Sequence, residues 1–242
     1  MTAVPRMRMF AGPNGSGKST IKSVIAPELL GVYINPDDIE KDIRINGCLD
    51  LKTFGVSATG QALLEFFRVS TLLAKAGLVT ESQRVRLNDD VLDFSNIAVN
   101  SYYASVISDF LRYRLLDSGA SFTFETVMSS PDKVDLLRKA QEKGFRTYLY
   151  FVATDDPLIN ISRVQNRVRL GGHPVPEDKI VSRYARSLGL FLDAIRHSDR
   201  AYIFDNSSHE STWLAEVTNG EDLELRTEQI PNWFKTAIWD KL

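Results

Sequence analysis

The sequence lacks the paired cysteines that are typical of proteins from oxidising compartments and the long apolar runs that are typical of membrane proteins. Its single cysteine, Cys48, excludes an intrachain disulfide and leaves no group of cysteines to hold a metal. No apolar run approaches the roughly 20 residues that a membrane-spanning helix needs. The N-terminus shows none of the features of a signal peptide. We therefore expect a cytoplasmic protein.

The chain also lacks an excess of either charge. Its 29 basic and 31 acidic residues give a net charge of −2, whereas a general nucleic-acid binder shows a basic excess. Nucleic acid is therefore not an expected partner.

A length of 242 residues with 43% hydrophobic and 25% charged residues is ordinary for a globular protein with a substantial core. We expect residues 1–242 to form a single domain.

One stretch carries a specific chemical signature, Gly12-Pro13-Asn14-Gly15-Ser16-Gly17-Lys18-Ser19-Thr20. It satisfies G-x-x-x-x-G-K-[ST], in which glycines let backbone N–H groups converge on phosphates, lysine reaches the β- and γ-phosphates, and the serine hydroxyl binds Mg²⁺. An apolar run over 7–10 precedes it and a helical pattern over 19–26 follows, which is the context that the motif requires. The pattern predicts a nucleoside triphosphate site; a glycine-rich turn without a ligand is the bland alternative.

Short apolar runs alternate with helical periodicity along most of the chain. Strands are predicted at 7–10, 32–34, 122–125, 148–152 and 201–204, and helices at 36–43, 96–116, 130–143, 156–170 and 176–197. The tail from residue 212 is predicted to form a hairpin and a terminal helix. The alternation predicts an α/β fold, in which helices cover both faces of a parallel sheet.

Residues 44–95 break this alternation. Apolar residues recur at helical spacing over 61–76, and no strong strand pattern appears. We therefore predict a mainly helical insertion at about 44–95. It could cover an acceptor pocket, dock a partner or mediate dimerisation, and the sequence does not decide between these.

Two carboxylates follow predicted strands, at the edge where open α/β sheets bind ligands. Asp37 follows the strand at 32–34 and suits the base that accepts a hydroxyl proton in phosphoryl transfer. Glu125, with Thr126 after it, ends the strand at 122–125 and suits contact with substrate hydroxyls or with Mg²⁺ through water. For Asp37 and Asp38 the alternative is that the carboxylate only stabilises a helix N-terminus, and we adopt this interpretation for Asp38. For Glu125 the alternative is a strand end that faces solvent. Asp155 suits a helix cap and is left out of the site.

A group of arginines marks the region where the two late helices meet: Arg163, Arg167, Arg169, Arg183 and Arg186. Like charges at i,i+3 and i,i+4 repel unless an anion lies between them, and a guanidinium suits a phosphoryl group. The break at 171–174 supplies a hinge, so we predict a lid at about 163–186. A solvated basic face is the alternative. His173 is interpreted as structural.

Several of these segments occur together in a characteristic order: Phe10 to Thr20, Ile34-Asn35-Pro36-Asp37, Phe122-Thr123-Phe124-Glu125-Thr126, Arg163-Val164-Gln165-Asn166-Arg167-Val168, Gly171 to Pro176, and Phe204-Asp205-Asn206-Ser207. The set resembles the zeta-toxin family of P-loop kinases, in particular its short stand-alone bacterial members. The resemblance implies a P-loop kinase-like sheet, ATP with Mg²⁺, phosphorylation of a sugar hydroxyl of UDP-N-acetylglucosamine, and a small antitoxin partner.

Residue by residue, the resemblance assigns roles around the motif. Lys18 and Ser19 would hold phosphate and metal, and Asp37 would be the base. Glu125 and Thr126 would contact the acceptor. The remaining roles are the γ-phosphate clamp, implied for Arg167 and Arg183, and an adenine contact, implied for Asn206.

The chain departs from the family pattern on the acceptor side. Toxic members usually carry an arginine shortly after the threonine of the acceptor motif, but Val127, Met128 and Ser129 follow Thr126 here. The segment 44–95 matches nothing in the family. We therefore keep a second hypothesis, a nucleotide-gated binding or regulatory protein without phosphotransfer. A third, a DNA- or RNA-processing ATPase, is disfavoured by the balanced charge.

Overall fold

The computed structural model describes residues 4–23 and 25–238. They divide into two compact units. The first comprises the described residues of 1–30 and 125–242, and the second comprises Gly31–Phe124. The segment 44–95 lies within the second unit.

Strands occur at all the predicted places and at several others. In chain order they are β1 Arg6–Ala11, β2 Val32–Ile34, β3 Cys48–Asp50, β4 Arg86–Asn88, β5 Val91–Asp93, β6 Phe122–Thr126, β7 Arg146–Ala153, β8 Arg200–Asp205, β9 Thr212–Thr218 and β10 Asp222–Leu225. Strands β1, β7, β8, β9 and β10 form a sheet in the first unit, β2 pairs with β6, and β3, β5 and β4 form a small antiparallel sheet. The sequence shows no strong strand pattern over 44–95, although β3, β4 and β5 lie there, because strands of three residues are too short to show an alternating pattern.

The helices of the described residues are α1 Lys18–Lys22, α2 Pro27–Leu30, α3 Pro36–Asn46, α4 Gly60–Arg68, α5 Thr71–Lys75, α6 Val79–Ser82, α7 Ser101–Ser118, α8 Asp132–Glu142, α9 Pro157–Arg169, α10 Glu177–Gly189, α11 Phe191–Arg196 and α12 Asn232–Ala237. A 3-10 turn covers Leu51–Phe54.

Some predicted helices are shorter or divided. The helix predicted at 19–26 ends at Lys22, and Val24 lies outside the described residues. The helix predicted over 61–76 is divided into α4 and α5, because the hydroxyl of Ser70 accepts a hydrogen bond from the N–H of Leu73 at 3.2 Å and starts a new helix. The helix predicted over 176–197 is likewise divided, into α10 and α11.

In the first unit the strand order is β10-β9-β8-β7-β1. Strands β1, β7 and β8 are parallel, β9 pairs antiparallel with β8, and β10 pairs antiparallel with β9 as the second strand of the predicted hairpin. In the second unit β2 pairs in parallel with β6, with Val32 opposite Phe122.

Helices cover both faces of β7. On one face Phe151 stacks on Phe191 of α11, with 3.9 Å between ring centroids, and Trp233 of α12 lies beside them. On the other face Val152 packs with Phe10 and with Ile21 of α1. This burial on two sides explains the continuous apolar sequence of β7. The predicted α/β fold is confirmed.

The second unit packs α3, α4 and α5 against α7. Tyr103 of α7 is fully buried, and its hydroxyl donates to Oε2 of Glu81 at 2.8 Å. Burial, followed by the contact with Glu81, raises the pKa of the Tyr103 hydroxyl, so it stays protonated and continues to donate.

Replacing Tyr103 by phenylalanine tests this contact. The substitution leaves a carboxylate without its donor, so the free energy of unfolding should fall by about 1–3 kcal/mol. Tyr102→Phe removes a hydroxyl from the neighbouring residue, which is 39% exposed, and should change stability little. Urea denaturation of the two variants measures the difference. Equal losses would mean that the Glu81 contact contributes nothing specific.

Candidate active site

The predicted phosphate loop connects β1 to α1. Its backbone is left-handed at Gly12, Gly15 and Gly17, with φ of +139°, +76° and +96°. A Cβ on Gly12 would lie 2.0 Å from the carbonyl oxygen of Val152, and one on Gly17 would lie 2.1 Å from Nδ2 of Asn206. No side chain is accommodated at these distances, so the loop needs glycine at both positions.

Two polar groups of the loop fit an anionic ligand. Nζ of Lys18 donates to the carbonyl oxygens of Gly12 at 2.8 Å and Pro13 at 3.0 Å, which holds the ammonium against the loop. Ser16 is fully buried, and its hydroxyl has no hydrogen-bond partner. Leaving a buried hydroxyl unpaired costs about 1–3 kcal/mol. A bound phosphate would relieve that cost by accepting from it.

Glu125, at the end of β6, lies beside the first turn of α1. Its carboxylate is 3.4–3.5 Å from the hydroxyl of Ser19, and Nζ of Lys22 lies 4.0 Å from Oε1. A hydroxyl next to a carboxylate is a donor set that suits Mg²⁺ when phosphates and water complete its shell. In the part of the chain that the structure describes, no group of three or more His, Cys, Asp or Glu could hold a metal by itself. The pair therefore fits a nucleotide-bound ion.

Thr126 fixes the turn that follows β6. Its hydroxyl oxygen accepts a hydrogen bond from the N–H of Met128 at 3.0 Å. Met128 is fully buried and has a φ of +50°. The contact of Thr126 with an acceptor stays a prediction.

The predicted clamp arginines lie in different surroundings. Nη1 of Arg183, on α10, is 3.4 Å from Oδ1 of Asn14 in the phosphate loop. Arg167, near the end of α9, is exposed and donates to the carbonyl oxygen of His173 at 3.3 Å. The structure therefore brings Arg183 to the loop and places Arg167 against the turn of the predicted lid.

Asn206 follows β8 and is tied to the loop. Its Nδ2 donates to the carbonyl oxygen of Ser16 at 2.7 Å, and its side chain is buried. Arg163 of α9 donates to the carbonyl oxygens of Asn206 at 2.7 Å and Ser208 at 3.0 Å. An adenine contact for Asn206 stays a prediction, and its amide also supports the loop.

Sequence reasoning missed Asn160. This residue of α9 is fully buried, and its Nδ2 donates to the carbonyl oxygen of Asn14 at 2.6 Å. Its Oδ1 accepts from the hydroxyl of Thr154. A signal existed, since Asn160 lies four residues before the buried Val164 and so places an amide on the apolar stripe of the helix. A buried polar side chain almost always has a hydrogen-bond partner, so an amide on an apolar stripe indicates a specific contact.

Tyr184 ties α10 to the same region. Its hydroxyl donates to the carbonyl oxygen of Thr154 at 2.6 Å. Burial, followed by the nearby carboxylates of Asp155, Asp156 and Asp205, raises the pKa of Tyr184 to about 12. The hydroxyl therefore remains a donor at neutral pH.

Asp155 hydrogen-bonds to the C-terminal helix α12. Its Oδ1 accepts from the N–H of Trp233 at 3.1 Å, while the indole N–H of Trp233 donates to Asp205 at 2.8 Å. These contacts attach α12 to the ends of β7 and β8, which is a structural role.

Asp37, in the second unit, occupies the first turn of α3. The helix cap is Asn35, whose Oδ1 accepts from the N–H of Asp37 at 2.9 Å. The carboxylate of Asp37 is therefore not the capping group, and the residue is exposed. It lies three residues after the last residue of β2.

Comparison with known proteins identifies the family. A family model described as Zeta toxin matches residues 95–217, just over half of the chain. An uncharacterised protein of Haemophilus influenzae is 32% identical over 175 residues, which cover 72% of this chain and 89% of that protein. The chain belongs to the zeta-toxin family. The phosphate loop precedes residue 95, so its assignment depends on its own motif and geometry.

A solved structure shows the same fold. The complex AvrRxo1-ORF1:-ORF2 with ATP matches with a TM-score of 0.52 at 16% identity, covering 93% of this zeta-toxin family member. The chain spans only 61% of the length of that protein. The PezAT toxin-antitoxin system of Streptococcus pneumoniae matches with a TM-score of 0.48 at 16% identity, over 99% of this chain and 84% of that one. Among the described residues, no helix has the length and apolar character to cross a membrane.

Gly12→Ala tests the loop as a nucleotide site. The added methyl group would collide with the carbonyl of Val152, so the loop must deform, and ATP binding should be lost in calorimetric titration. Gly144→Ala is the matched control, because Gly144 has a φ of +78° with nothing within 4 Å of an added Cβ. It should lose about 1–2 kcal/mol of stability from backbone strain and still bind ATP. Equal affinity of the two variants would exclude the loop as the phosphate site.

Proposed function

We propose that this zeta-toxin family member is an ATP-dependent kinase. It would transfer the γ-phosphate to a hydroxyl of a small molecule, with nucleotide sugars such as UDP-N-acetylglucosamine as the first candidates. The observation that carries the proposal is the glycine-shaped phosphate loop with Glu125 against Ser19 and Arg183 against Asn14. Together these residues supply the anion cradle, the metal-side carboxylate and a cation for the transferring group.

The loop residues 12–20 would hold the triphosphate of ATP. Lys18 would contact the β- and γ-phosphates, and the Ser16 hydroxyl would gain the acceptor that it lacks. Mg²⁺, when bound, neutralises charge on the β- and γ-phosphate oxygens, and Ser19 is its protein ligand in this proposal. Asn206 would lie next to the adenine.

The remaining residues would act on the hydroxyl and on the transferring group. Asp37 would accept the hydroxyl proton, and its exposure leaves the carboxylate accessible to a substrate. Arg167 and Arg183 would stabilise the charge that builds on the γ-phosphate. Glu125 and Thr126 would orient the acceptor. Catalysis would then depend on positioning and charge neutralisation rather than on a covalent intermediate.

Family membership also supports a protein partner. Zeta-toxin relatives include the toxin-antitoxin system PezAT named above. We propose a small antitoxin as the partner of this chain and the cytoplasm as its location. The acceptor is the less constrained part of the proposal, because Val127, Met128 and Ser129 replace the arginine expected after Thr126.

Asp37→Asn tests the base. Radiolabelled transfer from ATP to a panel of nucleotide sugars should fall by about 10²–10⁴-fold, the usual contribution of a general base, while ATP affinity stays unchanged. Asp38→Asn makes the same chemical change at the next residue of α3 and should retain transfer. Undiminished transfer by Asp37→Asn would remove this residue from the mechanism. Tight ATP binding without any acceptor consumed would favour the nucleotide-gated regulatory protein instead.

Glu125→Gln separates the two roles available to that carboxylate. If Glu125 supports the metal, the Mg²⁺ concentration needed for half-maximal ATP turnover should rise about tenfold or more, the effect typical of losing a supporting group of a metal site. If it binds the acceptor, the KM for the acceptor should rise at saturating Mg²⁺. The contact with Ser19 favours the first result. An unchanged Mg²⁺ dependence would assign Glu125 to the acceptor alone.

A further inference from the structure

Two residues of helix α9, both outside the loop motif, hold the phosphate loop in place through hydrogen bonds. Asn160 contacts the loop directly, and Arg163 acts through Asn206. We propose that Asn160 and Arg163 are positioning residues for nucleotide binding, which hold the loop in the shape that accepts phosphate. The inference rests on the nucleotide site of the proposed function but not on phosphate transfer.

The first fastening point is Asn160. Its Nδ2 donates to the carbonyl oxygen of Asn14 at 2.6 Å, and the bond from Thr154 to its Oδ1 fixes which way the amide faces. The main chain of α9 also approaches the loop closely, since a Cβ added to Gly15 would lie only 2.7 Å from the carbonyl oxygen of Asn160. Asn160 is fully buried, so water cannot replace its amide as a donor.

The second fastening point acts through Asn206. Arg163, one turn after Asn160, donates to the carbonyl oxygens of Asn206 and Ser208 with two different nitrogens. The N–H of Asn206 donates to the carbonyl oxygen of Ala153 at 2.8 Å, which positions its side chain on the carbonyl of Ser16. Arg163 therefore positions Asn206, and the side-chain amide of Asn206 in turn holds the carbonyl of Ser16 in the loop.

The orientation of the peptide planes makes these contacts relevant to phosphate. In a planar trans peptide the C=O and the following N–H point in opposite directions. Holding the carbonyl of Asn14 on α9 turns the N–H of Gly15 away from α9. Holding the carbonyl of Ser16 on Asn206 turns the N–H of Gly17 away from Asn206. A flipped peptide would present a carbonyl oxygen where phosphate needs a donor, so the two fastenings select the binding shape.

Asn160→Asp tests the first point with an isosteric change. It replaces the donor by an acceptor opposite the Asn14 carbonyl and keeps an oxygen for Thr154. The affinity for ATP should fall about tenfold or more, the effect of losing one hydrogen bond to a buried carbonyl. The affinity for inorganic tripolyphosphate should fall by the same factor, because the loop contacts phosphates and not the base. Asn166→Asp makes the same change at an exposed position of α9 and should bind both ligands as the wild type does.

Arg163→Lys tests the second point and keeps the positive charge. Lysine cannot span two carbonyl oxygens as a guanidinium does, so ATP affinity should again fall. This variant decides the proposal if Asn160→Asp does not fold. Calorimetric titration measures each affinity, and thermal unfolding without ligand measures stability separately.

A purely structural role would lower the unfolding temperature but leave the affinity of the folded protein unchanged, and that result would overturn the proposal. Wild-type affinity in every folded variant would do the same. If the wild type binds ATP but phosphorylates no acceptor, the proposed function fails, while the affinity comparison still decides this inference.

Discussion

The close approach of the phosphate loop to β7 is the constraint on which the candidate site depends. Strand β7 is buried on both faces, so the carbonyl of Val152 cannot move aside, and only glycine at position 12 lets the chain pass it. The loop must then turn sharply, which gives the positive φ values at Gly15 and Gly17. Packing of the core therefore constrains the shape of the loop, together with the hydrogen bonds from Asn160 and Asn206.

Charge is arranged around this loop in a consistent way. The carboxylate of Glu125 lies beside Ser19, where a metal ion would be favoured. Arg163 and Arg167 donate to main-chain carbonyl oxygens, which are neutral acceptors and do not cancel the positive charge of the guanidinium. Two arginines of the cluster that looked repulsive in the sequence are thus held by main-chain dipoles. Such an arrangement keeps its positive potential available to a phosphoryl group.

Predictions from the sequence were most accurate for segments in which one physical signal dominates. The long apolar run of β7 and the loop motif are strong local signals, and the alternation of apolar runs with helical periodicity predicted the sheet and its covering helices. Predictions were least accurate where the signal is short or depends on tertiary contact. Strands β3, β4 and β5 have three residues each, and the break at Ser70 depends on one side-chain hydrogen bond. Asn160 has no motif, and its role appears only once α9 lies against the loop.

The fastening of α9 and α10 also bears on which part of the predicted lid can move. Asn160 holds α9 to the loop, and Tyr184 holds α10 to Thr154, both through buried hydrogen bonds. Moving either helix as a body would break such a bond, whereas the turn over 170–176 has Gly171 at a φ of +91° with nothing within 4 Å of an added Cβ. Closure over a bound triphosphate would therefore involve this turn and the end of α9, which carries Arg167, whereas Arg183 lies in the middle of α10. A change confined to this turn would keep the buried hydrogen bonds of Asn160 and Tyr184, and with them the position of both helices against the loop.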